Sequence, residues 1–262
     1  MDHVSMTSSS DSAHAAGESS AHFRYDGIVC SARQNQILAA LPPSELAALA
    51  AKLELVLLSS GAELFTPGQK PPYVFFPTTA IVGLLYVMAD GATTEIAVIG
   101  REGMVGLGLF LGERSTTTAM VQTAGYAFRL KTAILRDAFD KGGGLPHVLM
   151  QYSTALFAQL AQNAVGSRHS SIEQKLSRWL LDRLDRSESN ALKVTQGTIS
   201  LMLGVRRESI TAAAQKLQAA GLIECHRGFI LVADRPGLEL QAGECYTAAK
   251  AVWGELSVSQ NN

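Results

Sequence analysis

Between residues 53 and 130 the chain breaks into short apolar, β-branched runs at 55–58, 73–76, 81–88, 95–99, 118–122 and 126–130. Turn residues separate them: Ser60-Gly61, Pro67-Gly68, Asp90-Gly91, Gly100 and Gly125. Each run is too short for a helix that could pack on its own. Their Val, Ile, Thr and aromatic content suits a pleated surface. Many short strands with Gly and Pro between them predict an all-β roll or barrel.

The flanks differ in character. Residues 1–30 are rich in Ser, Ala and His and read as a disordered arm. The first ten residues have no basic start followed by an apolar stretch, so a secretory signal is not expected. Ile37, Leu38, Leu41, Leu46 and Leu49 surround Pro42-Pro43, which predicts two short helices, the second starting at Ser44. Residues 131–139 return to helix, and Gly142 to Gly144 break it. From Leu145 to about Ala164 a long pattern follows, with Val148, Leu149, Tyr152, Leu156, Leu160 and Val165. So few charges on so long a helix predict burial on two sides, one against the β-domain and one against a second copy. A single core helix is the plainer alternative. Gly166-Ser167 reads as a break or hinge, and residues 172–184 as another amphipathic helix.

Residues 195–217 carry a sharper pattern. Thr195 is placed to cap a helix whose Ile199, Met202 and Leu203 share one face. Gly204 can take the positive φ of a tight inter-helix turn. A second helix then buries Ile210, Ala213, Ala214 and Leu217 and shows Glu208, Thr211, Ala212 and Gln215 on its other side. Arg206 stands at its start and Arg207 on its flank. An Arg-Arg-Glu-Ser cluster at the exposed start of a second helix has the layout of a major-groove reader. Residues 222–225 and 229–232, with a turn at Arg227-Gly228, predict a hairpin directly after it, so this region reads as a winged helix. Residues 234–262 read as a terminal helix and polar tail.

Net charge is −1, with 22 basic and 23 acidic side chains. From Arg168 onward there are 12 Lys and Arg against 10 Asp and Glu, and the excess of acid lies before it. The basic bias is mild, so phosphate binding would come from a few placed side chains and helix N-termini, doubled by dimerisation. Three cysteines, Cys30, Cys225 and Cys245, offer neither a disulfide framework nor a CxxC pair. No run of about 18 apolar residues predicts a membrane span, and the cytoplasm is the expected location.

This order of parts resembles the Crp/Fnr family of bacterial transcription regulators over residues 33–235. The resemblance implies an α+β chain: an N-terminal double-stranded β-roll of the cyclic-nucleotide-binding, jelly-roll kind, a long dimerisation helix and a C-terminal winged helix-turn-helix. The expected boundaries are an arm at 1–30, the sensor roll at 31–140, the dimer helix and hinge at 141–167, the DNA-binding domain at 168–240, and a helix and tail at 241–262. Arg207-Glu208 matches the family's pair at the start of the recognition helix. An arginine fork bonds O6 and N7 of guanine, and a glutamate accepts from N4 of cytosine. Where many relatives have a second base-reading arginine this chain has Ala212, so one base pair of the half-site should differ. Thr195, Ser209, Thr211 and Arg227 are phosphate candidates, with Arg206, Ala212 and Gln215 completing the interface. Double-stranded DNA, a second copy of the chain and RNA polymerase are the expected partners.

The family's nucleotide loop offers a glutamate to the ribose and an arginine to the phosphate. In the matching segment, residues 103–119, the glutamate position falls on Gly106 or Leu107, neither of which can serve a sugar hydroxyl. Arg114, Ser115 and backbone N–H groups could still meet a phosphate, so a cyclic nucleotide is disfavoured against another effector or none. The family's iron–sulfur branch needs about four thiolates, and only Cys30 lies in the N-terminal region. Haem ligation by His147 or His169, and metal or thiol sensing by Cys225-His226, are each weaker than a plain surface or strand reading. No metal site is expected. An effector-binding or interaction module whose winged helix no longer reads DNA is the alternative from another class. No nucleophile, base or paired carboxylates converge to suggest an enzyme.

Overall fold

The computed structural model describes residues 22–25, 28–89, 91–108, 114–187 and 189–259. Strands β3 (Glu54–Leu58), β9 (Gly125–Lys131) and β5 (Tyr73–Pro77) form one antiparallel sheet in the order β3-β9-β5. Strands β4 (Glu63–Phe65), β8 (Thr118–Thr123), β6 (Ile81–Val87) and β7 (Thr93–Ile99) form the other in the order β4-β8-β6-β7. Phe65, Phe75, Val82, Ile99, Val121 and Ala127 fill the space between the sheets. The expected roll is therefore present. It gains β4, whose three residues pair with β8 across a register shift and are too few to show a period in the sequence.

The outer side of the three-stranded sheet is covered by helices. They are α1 (Gln36–Ala39), α2 (Pro43–Ala50), α3 (Thr132–Asp140) and the first half of α4 (Gly144–His169). Leu55, Phe76, Phe128 and Leu130 meet Leu38, Leu46, Leu135 and Leu149 there. Within residues 1–30, the described residues are not a disordered arm: His22–Tyr25 (β1) pairs antiparallel with Ile28–Ser31 (β2). Phe23 packs edge-on against Phe128 at 4.8 Å, and Cys30 is buried. An apolar alternation of this brevity is masked by the polar residues before it. Residues 1–21 lie outside the described residues.

Helix α4 corrects the expected hinge. It runs unbroken through Gly166 and Ser167 to His169. Gly166 serves packing instead: a Cβ there would coincide with the guanidinium of Arg178. The chain turns at Ser170 and Ser171, where Ser171 and Gln174 form a reciprocal capping box opening α5 (Ile172–Leu184).

Beyond α5 stand β10 (Ala191–Lys193), α6 (Gln196–Leu203), α7 (Arg207–Ala219), β11 (Ile223–His226) and β12 (Phe229–Val232). The three strands form a sheet in the order β10-β12-β11, so the wing has one strand more than expected. The end of the chain is two helices, α8 (Arg235–Ala242) and α9 (Glu244–Ser259), divided at Gly243. Helix α9 folds back on α4, and the rings of Trp253 and Tyr152 lie 6.0 Å apart.

Candidate DNA-reading and effector sites

The reading head is assembled by local rules. Thr195 Oγ1 accepts the Thr198 N–H at 3.1 Å and caps α6. Gly204 sits at φ 62°, ψ 36°, a left-handed conformation that costs other residues about 1–2 kcal/mol. Ile199 and Met202 pack with Ile210, Ala213, Ala214 and Leu217, all buried, which fixes the crossing of α6 and α7. That core leaves Arg206, Arg207, Glu208, Ala212 and Gln215 exposed on the first turns of α7, with Ser209 half-buried beside them. Arg206, at the N-cap, gives α7 no side-chain cap. The leading N–H groups of the helix are thus open to an anion, reinforced by the helix dipole.

Thr211 behaves differently from expectation. Its hydroxyl donates to Gln196 Oε1 at 2.7 Å and lies 3.1 Å from Arg207 O. The single proton is engaged inside the motif, so it is not free for a phosphate. Thr211 and Gln196 tie α7 to α6, and Gln196 escaped the sequence reading because a polar residue in a first helical turn usually faces solvent. Arg227 is exposed at the tip of the β11–β12 hairpin, next to a stacked pair of rings, His226 and Phe229, 4.5 Å apart.

The head is docked on the roll through α5. Arg183 donates to Glu95 on β7 at 2.6 and 2.8 Å, to Gln122 on β8 and to Trp179 O at 3.1 Å, and lies over the Trp179 ring at 3.4 Å. Only 4% of the Arg183 side chain and 9% of Glu95 are exposed. Arg186 pairs with Glu102 at 2.6 Å in a similarly dry setting. Gln122 also reaches Met202 Sδ at 3.6 Å, and Leu85 of β6 belongs to the helical core. Sequence patterns give no hint of these pairs, because the partners stand 88 and 84 residues apart.

Gly106, Leu107, Arg114 and Ser115 come together around a cavity of about 250 Å3 in the roll. Phe65, Leu84, Ile99, Met104 and Leu156 supply its apolar walls. Arg114 Nη1 donates to Gly68 O at 2.7 Å, and Ser115 donates to Thr117 O at 2.6 Å while accepting the Thr117 N–H at 3.2 Å. No carboxylate lines the cavity among the described residues, which exclude 109–113. Thr118 opens β8, while Thr116 and Thr117 precede it.

His147 and His169 are exposed at opposite ends of α4. Burial pushes the Cys225 thiol up, which favours its protonated form. Among the described residues no three His, Cys, Asp or Glu side chains are grouped to hold a metal ion, and no helix is long and apolar enough to cross a membrane.

Comparison with known proteins agrees with this geometry. Residues 55–141 match the family profile of the cyclic nucleotide-binding domain, and residues 174–240 match that of the Crp-like helix-turn-helix domain. A structure of a crp/fnr-family transcriptional regulator from Eubacterium rectale superposes with a TM-score of 0.64 at 15% identity, covering 81% of this chain and 100% of that one. A CRP/FNR-family regulator from Thermus thermophilus gives 0.61 at 18% identity, covering 73% and 99%. The c-di-GMP-responsive global regulator CLP from Xanthomonas campestris gives 0.59 at 15%, covering 73% and 99%. At such identities these structures support the fold. No curated protein sequence matches the chain. A cyclic nucleotide-binding roll joined by a long helix to a DNA-binding helix-turn-helix domain defines a transcription regulator. The chain belongs to the Crp/Fnr family.

Proposed function

We propose that the protein acts in the cytoplasm as a homodimer that reads a palindromic operator and responds to a signal received in the roll. The observation that carries the reading part is the uncapped start of α7, with Arg206, Arg207 and Glu208 exposed on it and no packing role for any of them. Arg207 would address a guanine and Glu208 a cytosine, while Ala212 leaves one base pair of the half-site without its arginine contact. Arg206, Ser209, Arg227 and the α7 N-terminus serve the backbone, and Gln215 extends the groove-facing side.

Dimerisation is supported by the outer face of α4. Met150, Thr154, Phe157, Ala161 and Ala164 are all exposed and follow each other at alternating spacings of four and three residues. Met150 is 67% and Phe157 74% exposed, which is unusual for a helix of one isolated chain. That spacing is a coiled-coil seam, and it would bring two recognition helices onto successive major grooves. In the roll cavity, apolar walls together with Arg114 and Ser115 favour an effector that bears an anionic or polar end.

Selection of bound duplexes from a random library tests the reading. The expected result is a two-fold symmetric site with half-site centres about one helical turn apart. Recovery of duplexes without shared sequence would instead favour a module whose helix-turn-helix no longer discriminates bases.

A further inference from the structure

A second cleft, of about 280 Å3, lies apart from both sites, where the roll, α5 and α9 meet. Glu102, Gln159, Asp182, Asp185, Tyr246 and Trp253 are among its walls. Most of its charges are matched. Glu102 holds Arg186 at 2.6 Å, Lys250 reaches Glu239 at 2.9 Å, and Asp185 accepts the Tyr246 hydroxyl at 3.0 Å and pairs with Arg235.

Asp182 is different. It is half-buried, and its carboxylate has no hydrogen bond or ion pair among the described residues. Arg183 is turned to Glu95, Arg186 to Glu102, and Arg178, packed on Gly166, leaves its Nη1 unbonded. The charges of all three lower the Asp182 pKa and Asp185 raises it, but burial outweighs them and holds the carboxyl up at about 6. Gln159, also among the walls of the cleft, is 3% exposed and its Oε1 is likewise without a partner. An unmatched carboxylate at a domain junction works against folding, and a perturbed group in a cleft between domains is the usual mark of a binding site.

We propose that this cleft binds a small, flat organic cation: an amidinium or guanidinium head donates to Asp182 and to Gln159 Oε1, and its apolar body lies against Trp253 and Tyr246. Two acceptors suit a planar fork of N–H donors, and an indole face attracts a cation. A cleft of about 280 Å3 has room for a single aromatic ring. Such a ligand touches the roll, α5 and α9 at once and would favour their docked arrangement, independently of the roll cavity.

Calorimetric titration of the full chain with benzamidine tests this. Saturable binding of one benzamidine per chain is expected, with none for benzamide, its neutral counterpart. Asp182→Asn should weaken it at least about tenfold, the loss typical of a charge-assisted hydrogen bond. Arg114→Ala, in the roll cavity, should bind as the parent does. Absence of saturable binding in the millimolar range, an undiminished affinity in Asp182→Asn, or loss of binding in Arg114→Ala would each overturn the proposal. The melting temperature of Asp182→Asn should match or exceed the parent's. A lower one would mean that Asp182 is matched internally by Arg178, and the proposal would fail.

Discussion

Glu95→Gln removes one negative charge from the junction between roll and reading head while keeping the side-chain shape. Arg183 then remains 4% exposed with a positive charge and no ionic partner on β7. Burial already pulls the Arg183 pKa down against the opposing effect of Glu95, so the guanidinium depends on that carboxylate. Breaking one member of a buried pair costs about 3–5 kcal/mol. The stacking of Arg183 on Trp179 and its bonds to Gln122 and Trp179 O survive, which puts the expected loss at the lower end, about 3 kcal/mol. Removing both charges, in Glu95→Gln with Arg183→Met, should recover most of it and leave the double variant within about 1 kcal/mol of the parent. Urea unfolding at one fixed protein concentration measures this, followed by tryptophan emission. One of the two tryptophans, Trp179, lies under Arg183 and reports the junction directly. A loss below about 0.5 kcal/mol for Glu95→Gln, or a double variant as unstable as the sum of the singles, would mean that Arg183 does not depend on the Glu95 charge.

Three further outcomes follow from particular residues. The Asp182 carboxyl, at about 6 in the fold against 3.8 ordinarily, is protonated more readily when folded. Relative to Asp182→Asn, the parent should therefore lose stability as pH rises from about 4 to 6, by up to about 3 kcal/mol, and stay level above that; parallel stability curves would contradict it. Phe157→Glu places a charge in the exposed seam of α4 and should convert dimer to monomer in sedimentation velocity, whereas an unchanged sedimentation coefficient would move the interface elsewhere. Thr211→Val should lower stability by about 1 kcal/mol through the lost bond to Gln196. It should leave the salt dependence of DNA binding unchanged, because that hydroxyl does not serve a phosphate; a slope smaller by about one would show that it does.

Much of the fold was legible where periodicity persists over several turns. The stripe through Leu176, Trp179, Leu180 and Leu184 gave α5 its true limits, and Thr195 and Gly204 marked the cap and turn of the helix-turn-helix. Short pieces were not legible: β4 and β10 are three residues each, stabilised by neighbours distant in sequence. Gly166 misled because a glycine's local meaning, a break, was overridden by a tertiary one, room for Arg178. The sequence pattern assigned α4 two buried sides without dividing its residues between them. Val148, Leu149 and Tyr152 face the roll's core, while Met150 and Phe157 face outward. At the roll cavity the sequence brought out Gly106, Leu107, Arg114 and Ser115, which do line it, but not the apolar walls supplied by Met104 and Leu156. The clamp of Arg183 and Arg186 and the cleft around Asp182 arise only when roll, α5 and α9 are brought together.

The start of α7 is proposed to read base identity. Titration of the selected operator and of its single-base variants with the parent and with Arg207→Ala, at one salt concentration, measures it. The expected result is a loss of about 1–3 kcal/mol for Arg207→Ala, together with indifference to which base occupies one symmetric position of each half-site. Equal affinity for parent and variant, or a uniform loss across all operators with discrimination intact, would contradict it.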